Sequence, residues 1–315
     1  MTAHGGVGAT DCAPPGLARL GRVIAAVWRL NTLRLARVCF QGVESPCWAE
    51  VRLFGRRLAI DIGRCEVQKL LYFEGERFIE ERHLVQDLAR GRRSIVDVGA
   101  NIGYYLLLLA QAAAPSCRIT CIEPSVENLP ELEESLRRNH LPNVTLHRVA
   151  LGAARSRIGL RSGINSGVTD VNEGRHEVEL LPLDDLITEP VELIKIDVEG
   201  YEYEVLKGSR RVLSSMRPLL LVEIHPRAIN RFGASVADCL ALLREYYHDI
   251  EFYEGATSAL GVPGVWRRFY CRVAAPYGVV DSVRRVYPTG AEIQALDATL
   301  PWGTFWIVCR PPAPG

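Results

Sequence analysis

Lysine is nearly missing from this 315-residue chain: Lys69, Lys195 and Lys207 are the only three, and arginine supplies the rest of its 37 basic residues. An equal 37 acidic residues leave no net charge with histidine neutral. Without a basic excess no chain-wide field holds nucleic acid, and without a block of like charge there is no interaction tail. The arginine skew reads as codon bias rather than as a built arginine surface. The nine cysteines contain no Cys-x-x-Cys pair, which excludes the common thiolate zinc sites. Their odd number and scatter, with Cys117 and Cys121 flanking one apolar run and Cys309 inside another, read as buried free thiols of a reducing compartment. No unbroken apolar run is long enough to span a bilayer. Residues 17–40 come nearest, and Arg19, Arg22, Arg29, Arg34 and Arg37 interrupt them. The first 15 residues lack the basic and apolar regions of a secretory signal. The expectation is a soluble, cytoplasmic protein without a nucleic-acid partner. Peripheral membrane contact through residues 17–40 is the less favoured reading beside a cap helix packed on the core.

Punctuation divides the chain. Residues 1–16, rich in Gly, Ala, Pro and Thr, read as a disordered leader. Residues 17–90 predict an N-terminal cap of helix, hairpin and helix, the hairpin pairing Trp48–Phe54 with Leu58–Ile62 across Gly55-Arg56-Arg57. From residue 91 strands and helices alternate, the mark of a doubly wound parallel sheet. Strands are predicted at 94–98, 118–122, 144–149, 192–197 and 218–224, and helices at 103–114, 126–139, 201–214 and 235–247. Residues 152–182 break that rhythm and predict a β-containing excursion near the mouth of a site. Ile250–Tyr253 and Thr304–Cys309 predict two closing strands with an insert at about 255–300 between them.

Four strand ends carry chemistry. Ile95-Val96-Asp97-Val98-Gly99-Ala100-Asn101-Ile102-Gly103 is a buried strand running through a glycine turn into an apolar helix. Gly99 and Gly103 permit close backbone approach, and Asn101 tolerates positive φ. A dinucleotide fingerprint would place glycine where Asn101 stands, so the turn favours S-adenosylmethionine, with its amino-acid carboxylate cradled by the turn and Asp97 facing the turn or the ligand ammonium. Cys121-Ile122-Glu123-Pro124 ends the next strand, where Glu123 is placed to accept from ribose hydroxyls; its alternative role is to cap the following helix. Lys195-Ile196-Asp197-Val198-Glu199-Gly200 ends a third strand with two carboxylates that extended backbone would point the same way. Sulfonium electrostatics, substrate anchoring and general base are open roles for them, with helix N-capping as the bland one. Leu221-Val222-Glu223-Ile224-His225-Pro226 ends a fourth, placing His225 as a base beside a cleft. No resident metal is expected; Asp197, Glu199 and Glu223 as Mg²⁺ ligands form the weaker alternative.

In this order the segments VDVGANIG (96–103), IEP (122–124), LDDL (183–186), KIDVEGYEYEVLKG (195–208) and LLVEIH (220–225) resemble the FkbM-type S-adenosylmethionine-dependent methyltransferases. The resemblance covers roughly residues 72–225 and the strand TFWIVC (304–309). It implies a Rossmann-like, seven-stranded α/β sheet and methyl transfer to a hydroxyl of a sugar, glycan or polyketide-type product. It also implies that Asp97, Gly99, Asn101, Gly103 and Glu123 hold the cofactor, and that Asp197, Glu199 and His225 line the reaction centre. Rival readings are a non-catalytic cofactor-binding or scaffold protein and a nicotinamide-dependent oxidoreductase. The latter predicts NADH binding.

Overall fold

The computed structural model describes residues 37–75, 79–160, 168–169, 176–255, 283–286 and 304–312. The expected leader, nearly all of the 17–40 helix and most of the 255–300 insert lie outside them.

Two strands, β1 (Trp48–Leu53) and β2 (Arg56–Asp61), form an antiparallel hairpin. The turn is tighter than the sequence predicts. Phe54 and Gly55 both take positive φ, at 54° and 73°, the two-residue geometry that matches strand twist. Helices α1 (Glu66–Glu74) and α2 (Ile79–Ala89) lead into β3 (Ser94–Val98), α3 (Tyr104–Ala112), β4 (Arg118–Ile122), α4 (Leu129–Asn139) and β5 (Val144–His147). A separate four-stranded sheet follows, from β6 (Ala150–Leu151), β7 (Ser156–Leu160), β8 (Val168–Thr169) and β9 (His176–Leu181), in the order β6-β9-β7-β8. This is the predicted excursion.

The chain then returns through α5 (Leu183–Leu186), β10 (Leu193–Ile196), α6 (Glu202–Lys207), α7 (Arg210–Ser215) and β11 (Leu219–Ile224). The last elements are α8 (Pro226–Ile229), α9 (Val236–Arg244), β12 (Asp249–Gly255), β13 (Val283–Val286) and β14 (Phe305–Arg310). One helix was expected over 201–214; two short ones form because the Asp184 amide donates to the Gly208 carbonyl and its carboxylate accepts from the Arg211 and Val212 amides, which interrupts the helix ladder. Ser209 there turns its hydroxyl onto the Val205 carbonyl, at 2.6 Å.

The main sheet runs β13-β12-β14-β11-β10-β3-β4-β5. Strands β5, β4, β3, β10 and β11 are mutually parallel, and β14 enters antiparallel between β11 and β12. That is the expected seven-stranded Rossmann-like sheet, with β13 added at its edge as an eighth strand among the described residues. Alternation assigns the two faces. Ile95 and Leu193 face the helices α2–α4 side, whereas Val96, Val98, Ile194 and Ile196 face α6, α7 and α9. Burial on both faces explains why these strands read as continuous apolar runs. Order reverses between β3 and β10, so their carboxyl ends splay into a crevice.

Candidate active site

The crevice begins at the glycine turn. Gly99, Asn101 and Gly103 take φ of 78°, 52° and 94°, as their residue types permit. A Cβ on Gly99 would stand 1.8 Å from the Asp197 carbonyl oxygen, so the end of β3 lies directly against the end of β10. The turn does not hold out free amides, contrary to expectation. Gly99 and Ala100 donate to the Ile122 carbonyl, Gly103 to that of Ala100, Asn101 to Glu123 Oε2 and Ile102 to its neighbour's Asn101 Oδ1. Polar groups this close to the core must be satisfied, and here the protein satisfies all five itself.

Glu123 is the organiser of that loop. Besides Asn101 N, its carboxylate accepts from Ser125 N at 2.9 Å and Asn128 Nδ2 at 3.1 Å. It therefore fixes both the turn after β3 and the entry to α4 while still lining the crevice. Burial pushes its carboxyl up, and these hydrogen bonds pull it back.

Asp97 and Lys195 face each other across β3 and β10 because they are register partners on the same sheet face. Both are wholly buried, and Lys195 Nζ lies 3.3 Å from Asp97 Oδ1 and 3.6 Å from Asp197 Oδ2. The Tyr105 ring sits 4.7 Å from the ammonium. Asp97 thus does not line the crevice; its partner is Lys195, and it bears on the site through that lysine. Burial raises the Asp97 carboxyl, and the lysine charge opposes the rise.

Beyond Ile196 the backbone turns rather than extends. Glu199 takes φ 53° and Gly200 φ 108°. A left-handed conformation costs a non-glycine residue roughly 1–2 kcal/mol. The expected reason for Asp197 and Glu199 to point together, strand alternation, is therefore wrong, yet they still converge because the strained turn carries Glu199 back. Both come near His225 Nε2, Glu199 Oε2 at 3.4 Å and Asp197 Oδ1 at 3.9 Å, with Glu223 Oε1 also at 3.9 Å.

Behind the ring stands a residue to which the sequence reading gave no role at the reaction centre. Glu202, wholly buried at the start of α6, places Oε1 2.7 Å from His225 Nδ1 and takes the Gly200 amide at 2.8 Å. Its signal was an acidic residue three positions after Glu199 on the buried side of a helix. Burial alone would push the His225 imidazolium down; Glu202, then Asp197 and Glu223, outweigh it and push the group up to about 10. Burial, with Asp197 beside it, raises Glu223 well above the carboxylate range, and burial raises Glu199.

The crevice encloses about 600 Å³ of free space open to solvent. Gly99, Asn101 and Glu123 line one wall, Asp197 and Glu199 another, and Val149 with Leu151 and Leu160 of the smaller sheet add apolar surface. His225 stands behind the acidic wall.

Residues 97–250 match the methyltransferase FkbM domain. The chain is 25% identical over 224 residues to the hexuronic acid methyltransferase AglP of Haloferax volcanii, across 65% of this chain and 82% of that one. It is 26% identical over 299 residues to the AMB antimetabolite synthetase AmbE of Pseudomonas aeruginosa, across 78% of this chain and 13% of that far longer one. Among solved structures it resembles an FkbM methyltransferase from Methylobacillus flagellatus KT, with 24% identity, a TM-score of 0.41, and coverage of 59% of this chain and 50% of that one. This chain therefore spans half the length of that relative. A SAM-dependent O-methyltransferase from Thermotoga maritima shows 12% identity, a TM-score of 0.40 and coverage of 85% and 79%.

Proposed function

Because this chain carries an FkbM methyltransferase domain over residues 97–250, we propose that it transfers a methyl group from S-adenosylmethionine to a hydroxyl oxygen of a sugar, glycan or polyketide-type product. The carrying observation is one crevice at the reversal of strand order with Glu123 on one wall and Asp197 and Glu199 on another. Its donor set fits the cofactor: Glu123 for the ribose hydroxyls, apolar side chains for the adenine, and an acidic wall for the sulfonium and ammonium cations. Gly99 and Asn101 give the close approach, though with their amides already engaged, whereas Gly103 faces Leu132 on α4.

When bound, the cofactor supplies an activated methyl group, so the protein has to place the acceptor oxygen in line and accept its proton. Glu199 is the group positioned for that proton in the metal-free site. It lines the crevice, and burial raises its carboxyl while the His225 charge opposes the rise. His225, already protonated near neutral pH, orients Glu199 and Asp197 instead of serving as the acceptor. The likeness to AglP makes a hexuronic acid the first acceptor to try. The partner expected is a small molecule or glycan rather than nucleic acid. Among the described residues no helix is long and apolar enough to cross a membrane.

Calorimetric titration with S-adenosylhomocysteine, with NADH as control, tests the cofactor. Binding of the first alone supports the reading. Mass spectrometry of hexuronate and other sugar acceptors then looks for one added methyl group, and Glu199→Gln should lose turnover while keeping cofactor affinity. Binding without methylation of any hydroxyl acceptor would favour the scaffold reading.

A further inference from the structure

We propose that Asp197, Glu199 and His225 form a binding site for one divalent metal cation. One ligand atom from each of the three lies within 4.8 Å of the other two. Around an octahedral ion with bonds of about 2.1 Å, adjacent ligands stand about 3 Å apart and opposite ones about 4.2 Å. The three atoms are thus spread a little wider than an ion would draw them, two of them on a turn and one just past a strand end.

The imidazole points to the ligand. His225 is 8% exposed, and its Nδ1 is taken by the acceptor-only carboxylate of Glu202. Nδ1 must then carry a hydrogen, so in the neutral ring the Nε2 lone pair is directed away from Glu202. That lone pair faces Glu199 Oε2 at 3.4 Å and Asp197 Oδ1 at 3.9 Å, across a gap short enough to repel. Three such atoms share the gap stably only around a cation, either a proton on Nε2 or a metal ion. A buried carboxylate fixing the far nitrogen is also the support that a metal-bound histidine needs.

Charge balance favours more than a proton. Asp97, Asp197, Glu199 and Glu202 stand against Lys195 and His225 alone, and Lys195 is shared between Asp97 and Asp197. Carboxylate donors suit Mg²⁺ and Mn²⁺ and an imidazole suits Zn²⁺ and its neighbours, so the mixed set takes a divalent ion without selecting one, and paramagnetic Mn²⁺ serves as the probe. The ion would use His225 where the sequence alternative placed Glu223. Asp197 and Glu199 also line the crevice, so its remaining coordination positions would face the acceptor. The site rests on the methyl-transfer reading for its acceptor, with Glu199 and His225 then ligands instead of proton acceptor and charged partner, but its test does not depend on that reading.

The full chain, stripped with EDTA, is titrated with MnCl₂ by calorimetry and by loss of the free-ion signal in electron paramagnetic resonance. One Mn²⁺ per chain is expected. Glu199→Gln and His225→Gln should each weaken it about tenfold or more, and Glu202→Gln by about 10–100-fold. Glu133→Gln, an exposed acid on α4 far from the cluster, should leave it unchanged. Melting curves of the metal-free variants show that each still folds. No uptake, or uptake indifferent to Glu199→Gln and His225→Gln, overturns the proposal and leaves the gap to a proton. S-adenosylhomocysteine binding is scored separately, so failure of the cofactor reading is not mistaken for failure of this one.

Discussion

Glu202 Oε1 and His225 Nδ1, 2.7 Å apart and 23 positions distant in sequence, join the first turn of α6 to the end of β11. In metal-free protein this pairing keeps His225 charged through the neutral range. Its value rises from 6.5 to about 10, so its contribution to stability is full below pH 6.5 and is lost as pH rises through 10. Histidine resonances followed by NMR should show His225 not titrating between pH 6 and 8, and Glu202→Gln should bring its midpoint down. A midpoint unmoved by that change would show that Glu202 does not set it.

Gly99→Ala should abolish or badly weaken folding. The added carbon would meet a backbone carbonyl rather than a pliable side chain, in a conformation that L residues resist. A loss of more than about 3 kcal/mol in urea unfolding is expected. Gly55→Ala, whose Cβ meets nothing within 4 Å, suffers only the backbone strain and should lose less.

Lys195→Met should destabilise by about 3–5 kcal/mol, because it leaves Asp97 wholly buried without its counter-charge. Adding Asp97→Asn should recover part of that loss. Chemical unfolding of the single and double variants measures the coupling; additive losses would mean that the two side chains do not act as a pair.

Glu123→Ala should lower S-adenosylhomocysteine affinity about tenfold or more and also reduce stability. Three donors, Asn101 N, Ser125 N and Asn128 Nδ2, would lose their acceptor at once, and each buried donor left unpaired costs about 1–3 kcal/mol. Calorimetry and thermal melting separate the two effects.

The sequence carried the sheet clearly where physics is local. Ile95-Val96-Asp97-Val98 could only be a buried strand, and Gly99, Asn101 and Gly103 are residue types that accept positive φ. Contacts set by distant packing were less legible. Nothing near Gly208 announces that the distant Asp184 will engage its carbonyl and the Arg211 and Val212 amides, so one helix was read where two stand. Asp197 and Glu199 were paired for the wrong reason, since a left-handed glutamate breaks the usual residue preference. Lys195 was hidden in a family motif, although a lone lysine within an apolar strand, in a chain with three, already asked for a buried partner.

The position of β14 bears on where this protein can be cut. The family-matched stretch stops at residue 250, yet β14, at 305–310, lies between β11 and β12 and pairs with both. At the other end, the Ala59 amide donates to Ser135 Oγ, and Arg57 and Asn139 exchange hydrogen bonds, so the hairpin grips α4. A gene fragment encoding 97–250 alone would open the sheet along a buried edge and bare the flank of α4. The portable unit for chimeras, by this wiring, runs at least from Trp48 to Arg310.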